Sequence, residues 1–257
     1  MSRGIPTVPD PVWDRIPDDA LDDYSKIDSS LSYAELKNDS PWGFVVYRCS
    51  YHDNSQWQRM VQLITSSVEE SLTLNRRIDL LSRHRLTIMD DATQFDGATS
   101  HMVRDNVQSW VSSQLSAVLE DSEQRKSPVN GGESSIDVEM TLGTRYNFCL
   151  FVDNIALESL DRMSLPVIKL LCRFSGIRGP DERNYVVHPD YEDGETAEEH
   201  EDVGWMYTCV VDYCDIYTRL VESSDWYEEY CRPPWLKLCD EDEFPGFWRK
   251  KGSKAKA

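Results

Sequence analysis

Several absences narrow what this chain can do. It has no run of about 18 apolar residues, so no membrane-spanning helix is expected. The opening stretch MSRGIPTVPDPVWDRIPDDALDD lacks the apolar centre that a secretory signal carries. The P-loop, the GxGxxG turn after a strand, the GxSxG elbow and the HExxH metal motif are all missing. The seven cysteines are odd in number and contain no CxxC pair. Basic residues are outnumbered, 27 against 46 acids, for a net charge of −19. That balance disfavours nonspecific nucleic-acid or anionic-membrane binding, because phosphates are repelled rather than neutralised. An acidic excess is also an ordinary route to solubility, so it names no partner by itself.

What is present suits a folded protein. The 257 residues are 40% hydrophobic and 11% aromatic, with eight tryptophans, and can bury a proper core. Cys49, Cys149, Cys172 and Cys209 lie inside apolar, strand-like runs, where a thiol behaves as a small hydrophobe. Reduced cysteines fit a cytoplasmic protein.

Residues 1–40 are rich in Pro, Asp and Ser with isolated apolar residues, and read as an irregular N-terminal arm. Residues 41–235 read as a single domain. Its first strand is expected over about 43–50. Trp57, Met60, Val61, Ile64 and Val68 then form a helical stripe behind the cap candidates Asp53, Asn54 and Ser55. A strand over about 85–90 precedes a second helix capped by Thr99 or Ser100, with Val103, Val107, Trp110, Val111, Leu115 and Val118 on one face. Residues 123–141 are polar, with Pro-Val-Asn-Gly-Gly, and read as a surface loop. Strands are expected over 145–153, 165–174 and 204–211, although Leu-Leu-Cys in the second of these leaves a helical reading open. A short helix follows Asp153 or Asn154, and further helical turns follow residue 211. Within the excursion 175–204, residues 189–202 carry eight acids and no Lys or Arg, as a solvated loop would. Residues 236–257 pass from acids through aromatics to RKKGSKAKA, and read as a partly disordered tail. The order β-α-β-α-β-α-β-loop-β-α predicts an α+β fold: one mixed sheet of about five strands with amphipathic helices mainly on one face.

The candidate chemistry is acidic and sits where strands end. Asp90, Asp91 and Asp96 follow the second strand, and Asp153 ends the third. Ligands often bind beyond the carboxyl ends of strands in α/β sheets, and such carboxylates suit a divalent cation or acid–base work. Arg48, at the first strand's exit, and Arg104, in the first turn of the following helix, are candidate clamps for an anionic ligand. Each has a structural reading as well. Asp96-Gly97 is a turn dipeptide, Asp153 a helix cap, and Arg48 a partner for Asp90 or Asp91. Trp226 and Tyr230 could stack a ligand or close the core. His188 and His200, with Glu192 or Asp193, are a weak metal grouping. The aromatic, basic FPGFWRKK is a short interaction motif if it is not folded onto the domain.

The segments WGFVVYR, LTIMDD with FDGAT, VRDNVQSWV, RYNFCLFVD, GWMYTCVV and WYEEYCRPP occur in this order between residues 41 and 235. As an ordered set they resemble a group of uncharacterised proteins of filamentous ascomycete fungi. The resemblance implies a single intracellular domain and supplies no catalytic residue. The leading expectation is a non-catalytic domain that binds a small molecule or a protein partner, with no cofactor and neither nucleic acid nor membrane. The alternative is an enzyme with an acidic, metal-assisted site at the strand exits.

Overall fold

The structure is a computed structural model that describes residues 18–32, 40–118, 143–183, 198, 200–237 and 244–249. Its centre is one five-stranded mixed sheet in the order β2-β1-β3-β4-β5. The strands are β1 (Val45–Arg48), β2 (Thr87–Met89), β3 (Phe148–Val152), β4 (Val167–Cys172) and β5 (Trp205–Cys209). β1 runs parallel to both neighbours, with Val46 opposite Ile88 on one side and Leu150 on the other. β3–β4 and β4–β5 are antiparallel. The run 165–174 therefore contains a strand, Val167–Cys172, and its helical alternative is not adopted.

Alternation along each strand divides the core in two. Phe44, Val46, Phe148, Leu150, Ile168, Leu170 and Met206 face one side. There they meet Trp57, Met60, Ile64 and Val68 of α2 (Asn54–Leu74), which is the stripe expected from the sequence with only Val61 partly buried. Asp53 caps this helix by accepting from the amides of Ser55 and Gln56 at 2.8 and 3.0 Å, a contact that contributes about 1 kcal/mol. Val45, Tyr47, Cys149, Phe151, Leu171 and Trp205 face the other side, against Val103, Val107 and Val111 of α4 (Ser100–Val118). Between β2 and α4 stands a single turn, α3 (Ala92–Phe95). The side chains of Leu115 and Val118 lie outside the described residues.

Three elements differ from expectation. Residues 18–31, read as part of an irregular arm, form the helix α1 (Asp18–Leu31). Tyr24, Ile27 and Leu31 are its apolar stripe and are buried in the core on the α2 side. With Ala20 and Leu21 these make an amphipathic pattern set in Pro-, Asp- and Ser-rich surroundings, and burial against the domain supplies the rest of the stability. The third strand starts later than its apolar run, because Thr144–Asn147 make one helical turn, α5, with Gly143 before it at φ +83°. Part of the tail is also ordered. Phe244–Arg249 fold back onto α6 (Asn154–Arg162). The loop 123–141 and most of the acidic run 189–202 lie outside the described residues. Two short helices finish the domain, α7 (Tyr213–Arg219) and α8 (Trp226–Glu229).

At the start of β1, His84 is half-buried against Trp42 and 3.1 Å from the Tyr213 hydroxyl, which itself accepts from the Phe44 amide at 2.7 Å. Burial, reinforced by the Arg145 charge, holds the His84 imidazole down at about 4, against an ordinary value of 6.5. Between those two values the unfolded chain carries a proton there that the folded chain does not, so stability falls as pH falls through that window. The loss is on the order of 3 kcal/mol. Urea denaturation at steps from pH 7 to pH 4 should show a steeper decline in wild type than in His84→Gln. Equal slopes would mean that the imidazole is charged in the fold.

Candidate functional site

The two crossovers that leave β1's neighbourhood go opposite ways. α2 links β1 to β2 on one face, and α4 links β2 back past β1 to β3 on the other. Reversal of direction leaves a crevice beyond the carboxyl ends of β1 and β3, the place where open sheets bind ligands. Arg48, Cys49 and Asp153 are the residues delivered to it. Cys49 closes the end of the ladder, its amide donating to the Val152 carbonyl at 2.8 Å and its carbonyl accepting from Gly97 at 3.0 Å.

Arg48 is a brace. Its side chain is 9% exposed; its Nε donates to the Ser50 carbonyl at 3.1 Å, and an Nη lies 3.4 Å from the Asp90 carboxylate. The guanidinium lies over the Tyr51 and Trp57 rings, 4.3 and 5.2 Å from their centres. Packing and main-chain contact therefore hold it more than the ion pair does, since Asp90 is 44% exposed and screened by water.

Asp91 and Asp153 are occupied through their carboxylates, Asp96 through its main chain. Asp91 caps α3, accepting from the Thr93 hydroxyl at 2.7 Å and the Thr93 amide at 2.9 Å, and these bonds lower its carboxyl below the ordinary range. Asp96 ends the same turn, where its amide bonds Ala92. Asp153 caps α6 through the Ala156 amide at 2.9 Å and pairs with Lys169 of β4 at 2.9 Å. Lys169 itself is 8% exposed, its ammonium 4.0 Å from the Trp205 ring centre and 5.3 Å from that of Phe151. Cys49 sits among these charges. Burial pushes its thiol up to about 12; Asp153 and Asp96 add to the rise and Lys169 opposes it. A thiol so poised is not a nucleophile at neutral pH. Asp153, Asp96, Lys169 and Cys49 thus gather on the α4 face, while Asp90 turns to Arg48 on the α2 face.

The remaining candidates have structural posts. Arg104 is buried, with guanidinium bonds to the Cys172 and Val203 carbonyls at 3.3 and 3.2 Å and a contact with His101 at 3.3 Å. Cys172 stands opposite Phe148, at the start of β3, so this arginine does not reach the strand exits. Trp226 is fully buried, stacked beside Phe148, and donates to Asp202 at 3.1 Å; the Tyr230 hydroxyl accepts from the Val203 amide at 3.2 Å. Neither offers a face to a ligand. Of the weak metal grouping, His188, Glu192 and Asp193 lie outside the described residues. Among the described residues no three His, Cys, Asp or Glu side chains could share a metal ion.

A cavity opens instead beside the edge strand. A groove of about 460 Å³ runs between β2, α3 and α4, lined by Met89, Phe95 and Trp110 and, on its polar side, by Asp90, Asp91 and Asn106. Its floor is set from below. Arg145, on α5, donates to the carbonyls of Gly43 and Arg85 and to the Thr87 hydroxyl, and its guanidinium lies 5.7 Å from the Trp110 ring centre. Tyr146 stacks on the same indole at 6.2 Å. Sequence reasoning placed Trp110 on the helix stripe and left Lys169 and Arg145 unremarked. A lone lysine in the apolar LPVIKLLC was the available signal for Lys169. A smaller cavity of about 130 Å³ lies beside β5, where Glu229 is held between Lys237 at 3.1 Å and Arg219 at 3.6 Å.

No family model matches the chain, and neither a curated protein nor a solved structure does. The fold stands on its own as α+β with a single mixed sheet. No described helix is long and apolar enough to cross a membrane.

If Arg48 is a packed brace, Arg48→Ala should cost about 2–3 kcal/mol, and Asp90→Asn less than about 1 kcal/mol. Chemical denaturation of both variants measures this. Equal losses would show that the ion pair, and not the ring sandwich, holds the side chain.

Proposed function

We propose that this protein is a non-catalytic binding domain whose ligand site is the groove beside β2. The observation that carries the proposal is the lining: the Phe95 and Trp110 rings and the Met89 thioether beside the Asp91 carboxylate and the Asn106 amide. Such a surface suits a ligand or peptide segment that presents positive charge next to an apolar or planar group, since carboxylates attract the first and indole and phenyl rings stack the second. The commitment of the Asp153 carboxylate to the Ala156 amide and Lys169 speaks against the acidic enzyme site, as does the raised thiol of Cys49. A cytoplasmic setting is part of the same proposal and is supported by the six described cysteines, all free.

The test uses a fluorescein-labelled octapeptide alternating Lys and Val, its Glu counterpart, wild type and Trp110→Ala. Anisotropy should rise saturably with the basic peptide and not with the acidic one. Trp110→Ala should weaken binding at least about tenfold, near 1.4 kcal/mol, while keeping a cooperative thermal transition. Absence of saturation with either peptide, or binding indifferent to Trp110, would remove the groove as the site.

A further inference from the structure

The ordered piece of the tail rests on one carboxylate. Glu158, on α6, accepts from the Trp248 indole Nε1 at 2.5 Å and from Arg249 through Nε at 3.0 Å and Nη2 at 2.6 Å. The two arginine bonds go to different carboxylate oxygens, the side-on bidentate geometry that a lysine cannot copy. Gly246 enters this contact at φ +84°, and a Cβ built there would stand 3.4 Å from Ile155 Cδ1. The left-handed backbone conformation favours glycine at that position. Trp235, Phe244, Phe247 and Trp248 follow one another edge to face at 5.3–6.4 Å between ring centres. Pro245 is buried, but Phe244, Phe247 and Trp248 are only partly so, and no residue of the turn Phe247–Arg249 is buried.

We infer that the face of α6 around Ile155 and Glu158 is a docking site for a Pro-Gly-aromatic-Trp-Arg segment, and that the chain's own Phe244–Arg249 fills it in cis as a displaceable strap. Recognition is specific, because the geometry uses an indole N–H, a guanidinium fork and a left-handed glycine together. Attachment is shallow, because half-buried rings and a partly exposed ion pair contribute far less than core burial. The strap packs on α6, the helix that follows β3, through Glu158 and Ile155. This inference does not depend on the groove beside β2.

The probe is the fluorescein-labelled hexapeptide Phe-Pro-Gly-Phe-Trp-Arg, titrated into the millimolar range, because a tethered segment competes at a millimolar effective concentration. It is offered to wild type, to the double variant Trp248→Ala with Arg249→Ala, and to that variant carrying Glu158→Gln as well. The vacated variant should bind at least about tenfold more tightly than wild type, and Glu158→Gln should remove about tenfold of that gain. Hydrogen exchange on wild type and on Glu158→Gln alone supplies the second readout. Amides of Phe247–Arg249 should exchange well before those of β3 in wild type, and faster still in the variant, with β3 unchanged. Equal peptide binding by wild type and the vacated variant, no binding by the latter, or no effect of Glu158→Gln would each overturn the inference. So would strap amides as slow as those of β3.

Discussion

The molecule depends on the Arg145 guanidinium. It enters from the turn before β3 and reaches the carbonyl that ends the approach to β1, the carbonyl before β2, and the hydroxyl of Thr87 in β2 itself. A buried charge is costly unless its donors are satisfied, and these three acceptors come from two segments, at Gly43 and at Arg85–Thr87, both far in sequence from Arg145. The same group lies against Trp110. One side chain thus fixes the three-residue edge strand to the sheet and sets the indole that lines the groove. A three-residue strand has too few ladder bonds to hold its own position, so an external clamp is what gives that edge a defined shape.

The charged groups inside the domain share a design. Arg48, Arg104, Arg145 and Lys169 are each buried or nearly so, and each is met by carbonyls, rings or a carboxylate. In a chain with a net charge of −19, drawing cations inward leaves a still more acidic surface. Positive groups are spent as internal braces at both ends of the sheet, while carboxylates remain at the groove and on the outer helices.

The strand-exit crevice is present, as the reversal of the two crossovers requires, but its contents are committed to structure. Asp153 and Lys169 neutralise each other between rings, and Cys49 is closed into the ladder. The strap from the tail is anchored on α6, the helix that follows β3. Among the described residues, a groove with room for a ligand lies at the side of the sheet, beside β2.

The amino-acid pattern alone pointed to the elements with a strong local signal: the apolar runs of β1, β3 and β5, the stripe of α2, and caps narrowed to two or three neighbouring residues, of which the structure uses Asp53, Thr99 and Asp153; the run of β4 left a helical reading open. These are local properties, governed by neighbours within a few residues. It also placed Arg48 and Asp90 at adjacent strand exits, which made their pairing legible. Pro-, Asp- and Ser-rich surroundings hid α1, whose buried residues Tyr24, Ile27 and Leu31 count only once another surface covers them. Whether FPGFWR is free or folded back was written in no local signal, because its partner Glu158 stands about 90 residues away. The same holds for the partners of Arg145 and Lys169, and for the groove at Trp110. Tertiary structure decided these, since a buried charge or a cavity is defined by what distant segments bring to it.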